Sequence, residues 1–221
     1  MLVWLAVLLQ VPALVLLAGC SGLKSSAPAE QVYVLRPAIL EALPTPLKAS
    51  LQILRVEAHP GLESDRIMLL RPGRRLDAFS GARFASGLPE VIGAAVVEAF
   101  RGSGSFTIVS EDRNVGSDFA LDITVLRFEA QYADENSAPI VQLLFDCTLL
   151  DRRQRDTLAS FRIAASVPAT ENRLGSVVEA MDQATNQALN ELRTKTADAI
   201  AKAPPVNVQP AGPGPRNSNN N

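Results

Sequence analysis

A two-layer α/β sandwich of the α+β kind, with a mixed or antiparallel sheet packed on one face by two helices, is the fold class that three features of this 221-residue sequence predict. Short runs with period-two apolar alternation recur between residues 32 and 166, as half-buried strands require. Two segments, residues 88–100 and 171–202, repeat their apolar residues at helical spacing instead. Their order is three or four strands, a helix, four strands and a helix. This lacks the strict strand–helix alternation of a wound parallel sheet and points to helices gathered on one face.

The first strand signals fall at residues 32–36, 51–56 and 66–70, separated by segments that contain proline. Residues 74–79 pair back as a hairpin across Pro72-Gly73. The stretch LPEVIGAAVVEAF at 88–100 places Leu88, Ile92, Ala95 or Val96, and Ala99 on one stripe, with Pro89 in the first turn and Gly102 past the end, which predicts a buried helix. Strands follow at 106–110, 119–132, 140–151 and 157–166. In the second of these, Phe119, Leu121, Ile123 and Val125 share a face, whereas Leu126, Phe128 and Ala130 have the opposite parity; a bulge near Val125 reconciles them. Residues 151–156, DRRQRD, form a polar hairpin connection. Leu174, Val178, Met181, Thr185, Ala188 and Leu192 then mark the long amphipathic helix. There is no internal repeat.

The two ends of the chain differ from its middle. Residues 2–18 are uncharged and apolar, with Pro12 inside; the run is shorter than the roughly 20 residues that span a bilayer and reads as the core of an export signal over residues 1–19. No Lys or Arg precedes it. It closes in Leu17-Ala18-Gly19-Cys20, which resembles the lipobox of bacterial lipoproteins. There, small residues let an extended backbone enter the peptidase, cleavage falls between Gly19 and Cys20, and the Cys20 thiolate is the nucleophile that accepts lipid. The expected modification is a diacylglyceryl group on the Cys20 sulfur and an N-acyl chain of the palmitate type, each buried methylene contributing about 0.8 kcal/mol to anchoring. Ser21 is not the Asp linked to inner-membrane retention, so the expected location is the periplasmic face of the outer membrane. Residues 20–30 then form the lipidated Cys and a flexible tether. Residues 204–221 hold five of the fifteen prolines and an Asn-rich end and read as a disordered tail, leaving residues 31–203 as the folded domain.

Composition narrows the function classes. The formal net charge is −2, so no basic field favours nucleic acid. His59, the single histidine, precedes Pro60-Gly61 and reads as a solvated turn residue, leaving no basis for a metal centre or a Ser-His-Asp triad. Cys147 shares strand parity with Val141, Leu143, Phe145 and Leu149 and reads as a buried, inert thiol. Asp122 and Asp146 are candidate cross-strand neighbours on the outer face, better read as solvated carboxylates than as an acid–base pair. Residues 101–105, RGSGS, follow a helix and do not open one, so they form a C-cap and loop in place of a phosphate cradle. No catalytic residue, cofactor or metal is expected. The candidate partner contacts are two basic clusters, Arg71, Arg74 and Arg75, and Arg152, Arg153 and Arg155, although Asp77, Asp151 and Asp156 sit beside them.

Several stretches resemble the ABC-type transport auxiliary lipoproteins: Tyr33-Val34-Leu35-Arg36-Pro37 soon after the lipobox, the helix at 89–100, the run LDITVLRFE at 121–129, Cys147-Thr148-Leu149-Leu150-Asp151 before a basic turn, and the closing helix. The resemblance covers roughly residues 17–200. Where some members carry a His-Arg-Trp pattern, this chain reads FSGARF at 79–84. The resemblance implies a non-enzymatic accessory lipoprotein of an intermembrane lipid transport system, whose partners are an MCE-domain protein and an ABC permease and ATPase. It would act by tethering and protein contacts, with a homo-oligomeric ring as one form. A lipopolysaccharide-assembly lipoprotein that plugs an outer-membrane β-barrel is the alternative.

Overall fold

The structure, a computed structural model, describes residues 29–112 and 114–203. The signal segment, Gly19, Cys20, most of the tether and the 204–221 tail therefore lie outside the described residues. The described residues from Val32 to Ala203 belong to one compact unit. The elements are β1 (Gln31–Tyr33), β2 (Leu47–Ile53), β3 (Glu57–Ala58), β4 (Arg66–Arg71), β5 (Arg75–Phe84), α1 (Leu88–Gly102), β6 (Phe106–Ser110), β7 (Phe119–Gln131), β8 (Ile140–Asp151), β9 (Asp156–Pro168) and α2 (Leu174–Ala201). This is the two-helix, mixed-sheet sandwich that the periodicities predict.

β7 is the axis of the nine-stranded sheet. One side of it is closed by β8, antiparallel along the whole strand from Phe119↔Asp151 to Gln131↔Ile140. β9 pairs antiparallel beyond β8. The other side is covered by short parallel strands in succession: β2 at Leu51↔Phe119, β3 at Glu57↔Thr124, and β4 at Leu69↔Ala130. β6 pairs parallel with β2, and β5 forms an antiparallel hairpin with β4. The bulge expected near Val125 is present. Leu126 is the extra residue between Val125↔Phe145 and Arg127↔Leu144, and it returns Phe128 and Ala130 to the core face, where both are buried.

In-register pairs carry apolar rows across the covered face: Ile53, Leu121 and Leu149; Ile123, Cys147 and Phe161; Val125, Phe145 and Ile163. Helix α1 buries Leu88, Ile92, Val96 and Phe100 over β2, β3 and β6, and α2 buries Met181, Ala184, Ala188 and Leu192 over β8 and β9. Phe100 stacks on Phe106 with centroids 5.6 Å apart. Pro at the first turn of α1 loses no helical bond there.

Several boundaries differ from the sequence expectation, among them that of β5, expected at 74–79, which runs on to Phe84 because Arg83 still pairs with Arg66 across the hairpin. The strand expected at 32–36 ends at Tyr33 because the N–H groups of Arg36 and Ala38 go to side chains of α2, as described below. The strand expected at 51–56 begins at Leu47, where the Leu47 N–H donates to Ser105 O at 2.9 Å and parallel pairing with β6 extends it. It breaks after Ile53 and resumes as β3. α2 begins at Leu174, after Arg173 in extended conformation (φ −145).

Candidate functional site

The two basic clusters occupy hairpin tips at opposite ends of β7. β4 ends beside Gln131 and the β8–β9 turn lies beside Phe119; at about 3.3 Å per residue the strand between them is roughly 40 Å long. The structure does not bring the clusters together. At the β4–β5 tip, Gly73 (φ 78) and Arg74 (φ 63) are both left-handed, which is the conformation of a tight hairpin turn. Arg71 Nε donates to Asp77 Oδ2 at 3.2 Å. The Asp77 carboxyl is held below its ordinary range by the Ala78 N–H first and by Arg71 second.

At the β8–β9 tip the arginines divide by role. Asp151 Oδ1 accepts from the N–H groups of Arg153 and Gln154 at 2.9 and 3.0 Å, which shapes the turn, and Arg155 takes the left-handed conformation (φ 58). Arg152 donates to Gln52 Oε1, and Arg153 pairs with Asp118. Asp118 Oδ2 also accepts from the Ser50 N–H and Ser50 Oγ, both at 2.9 Å. Burial works against ionisation of Asp118, but the two Ser50 bonds and Arg153 outweigh it, and its pKa is lowered. Arg152 and Arg153 thus tie β2, β7 and the turn together. Arg74, Arg75 and Arg155 stand exposed, with no ion pair among the described residues.

The remaining sequence candidates fall where bland chemistry predicts. Cys147 is 1% exposed; burial first and Asp146 second push its thiol up to about 12, which leaves it un-ionised and inert at neutral pH. Asp122 faces Thr148 and Asp146 faces Thr124, so the two carboxylates are diagonal and not directly opposed. Asp146 pairs with Arg162 at 3.2 Å. His59 sits in a turn, its N–H donating to Val125 O at 2.8 Å and its carbonyl accepting from Leu62 at 2.9 Å. Residues 101–105 end α1, with Gly104 left-handed (φ 59) and Ser103 Oγ donating to Phe100 O at 2.8 Å.

Sequence reasoning missed a polar stripe on α2. Asp182 Oδ1 accepts from the Arg36 N–H at 3.0 Å, Asn186 Oδ1 accepts from the Ala38 N–H at 2.7 Å, and Arg193 donates to the Glu41 carbonyl. The spacing of four residues and then seven keeps all three on one helix face. They strap the extended segment 36–41 along the helix, with Leu40 buried and Ile39 87% exposed. Burial raises the Asp182 pKa, against the Arg36 bond that lowers it. The stripe was legible only as polar positions beside an apolar one, because its partners are backbone groups some 150 residues away.

The profile of the ABC-type transport auxiliary lipoprotein components matches residues 33–192, from the end of β1 into α2. The chain belongs to this family. ABC-type transport auxiliary lipoproteins are accessory components of transport, and membership assigns this chain an accessory role in transport and a place with the lipoproteins of the cell envelope. A solved structure from Xanthomonas campestris, assigned to the family DUF330, is 25% identical and covers 77% of this chain and 97% of its own, with a TM-score of 0.70. A second, an uncharacterized protein 14% identical, shares the fold with a TM-score of 0.62 over 76% of this chain and 99% of its own. No curated protein matches the sequence.

Proposed function

We propose that this auxiliary lipoprotein is anchored through lipid on Cys20 at the periplasmic face of the outer membrane and serves an MCE/ABC-type intermembrane lipid transport system by tethering and protein contacts. The observation that carries this reading is the family match across residues 33–192 in a chain that reads Leu-Ala-Gly-Cys at 17–20. The strap supports it. Segment 36–41, near the start of the folded domain, is held along α2 by three of its side chains. Protein contact would fall to the exposed Arg74, Arg75 and Arg155 at the hairpin tips. β9 offers a surface for a ring of copies, since among the described residues it pairs only with β8 and a 13-residue edge strand is a ready template for association.

The test is affinity purification of the full-length protein from detergent-solubilised membranes beside Cys20→Ala, with mass spectrometry of what co-purifies. Recovery of an MCE-domain protein with its permease and ATPase, reduced for Cys20→Ala, is expected. Recovery of an outer-membrane β-barrel in their place would overturn the transporter assignment and favour the lipopolysaccharide-assembly role.

A further inference from the structure

We propose that the sheet edge between the end of β6 and the 59–65 loop is a docking slot for an extended, basic peptide segment of a partner protein. The slot follows from how β2 loses its neighbour. Among the described residues, β6 pairs with β2 only as far as Gln52↔Ser110, and β3 pairs with β7 alone. Among the described residues, no strand lies against the side of residues 54–58 that faces away from β7. Leu54 gives its N–H to Leu121 O at 2.9 Å and His59 gives its own to Val125 O at 2.8 Å, whereas the Arg55 N–H between them has no backbone partner among the described residues.

The first turns of α1 stand over this open edge as a wall. Ile53, Val56, Pro89, Gly93 and Ala94 line a groove of about 280 Å³ that continues toward Glu57 and Glu63 in a second depression sharing Arg55, Val56, Pro89 and Glu90. Helix and edge come close at Gly93, where an added Cβ would lie 3.6 Å from Val56 Cγ2. An open strand beside a helix wall is the geometry in which a peptide adds to a sheet, gaining main-chain bonds from the edge and side-chain pockets from the wall. Here the incoming segment would take the sheet position that β6 leaves at Ser110.

Charge identifies the occupant. Glu57, Glu63, Glu90 and Glu111 line the groove, and among the described residues the one cation lining it, Arg55, is already paired with Glu90 at 3.3 Å. This rim repels phosphate headgroups and acidic peptides and attracts Lys and Arg. The apolar lining of Ile53, Val56, Gly93 and Ala94 suits small or β-branched residues alternating with those cations. The inference is independent of which transport partner the family role requires.

The test uses the full chain, uniformly labelled with nitrogen-15 in detergent micelles, titrated with an acetylated and amidated heptapeptide of alternating Val and Arg or Lys. Saturable amide shifts confined to residues 53–58 and 89–94 are expected. Gly93→Leu, whose Cβ finds ordinary contact and whose longer side chain enters the groove, should weaken binding about tenfold, as should the charge reversal Glu57→Lys/Glu111→Lys. Both variants are read against unchanged shifts in β8 and β9, which establish that the fold is intact. Equal binding of a peptide with two prolines at edge-facing positions, equal binding of the Glu counterpart, or shifts elsewhere would overturn the proposal. So would groove shifts without peptide on dilution, which would make a second copy the occupant, or on removal of 204–221, which would make it the chain's own tail.

Discussion

The two sides of β7 are built on opposite principles. On one side β8 runs antiparallel along its whole length, and β9 repeats the pattern. On the other, three short parallel strands, β2, β3 and β4, are laid end to end. Local alternation and a hairpin turn suffice to specify the first side, because each strand meets its sequence neighbour. The second side depends on crossovers and on polar ties such as Asp118 to Ser50 and Arg153. It is therefore the side where the sheet can be left open, and the basic-peptide slot lies there.

The largest effect expected from breaking this contrast lies on the regular side. Phe145, fully buried between Val125 and Ile163, should cost about 3–5 kcal/mol when replaced by Ala, measured by denaturant unfolding. Asp118→Ala acts on the patched side, where it leaves the Ser50 N–H and Arg153 without their acceptor; about 1–3 kcal/mol is expected in the same assay. The pH dependence sharpens the comparison. Because the folded-state pKa of Asp118 is depressed, its contribution is complete above the unfolded carboxylate range and is lost as pH falls through the lower folded value. The native chain should thus lose more stability across that acid window than Asp118→Asn does.

Smaller effects follow. With its thiol pushed up to about 12, Cys147 should resist an aromatic disulfide reagent at pH 8 in the folded protein and react on unfolding; rapid native reaction would mean that the β7–β8 side is not closed. Asp182 has the opposite sign to Asp118. Its folded-state pKa is raised, so its contribution is present below the unfolded carboxylate value and is lost as pH rises through the folded one. Asp182→Asn keeps an oxygen for the Arg36 N–H and should be as stable as the native chain at neutral pH or slightly more so, within about 0.5 kcal/mol by thermal unfolding.

How much of this was legible follows the same division. The helix stripes, the β8 and β9 strands, the turn at 151–156 and the bulge at Leu126 could be read from residue periodicity, since each is a local pattern packed against one apolar face. The break after Ile53, the early start of β2 at Leu47 and the strap of Asp182, Asn186 and Arg193 could not, because each depends on backbone partners distant in sequence. The basic clusters were visible as composition. Their division into tie residues, Arg152 and Arg153, and exposed tip residues, Arg74, Arg75 and Arg155, needed the register that sets Gln52 and Asp118 beside the turn.

Amide hydrogen exchange of the full chain, read residue by residue, tests the contrast between the two sides most directly. Slow exchange is expected along the paired amides of β7 and β8, with Leu54 and His59 protected by their bonds to β7 and Arg55 exchanging orders of magnitude faster on the open edge. Protection of Arg55 equal to that of Leu54 would contradict the open edge and close the slot proposed beside α1.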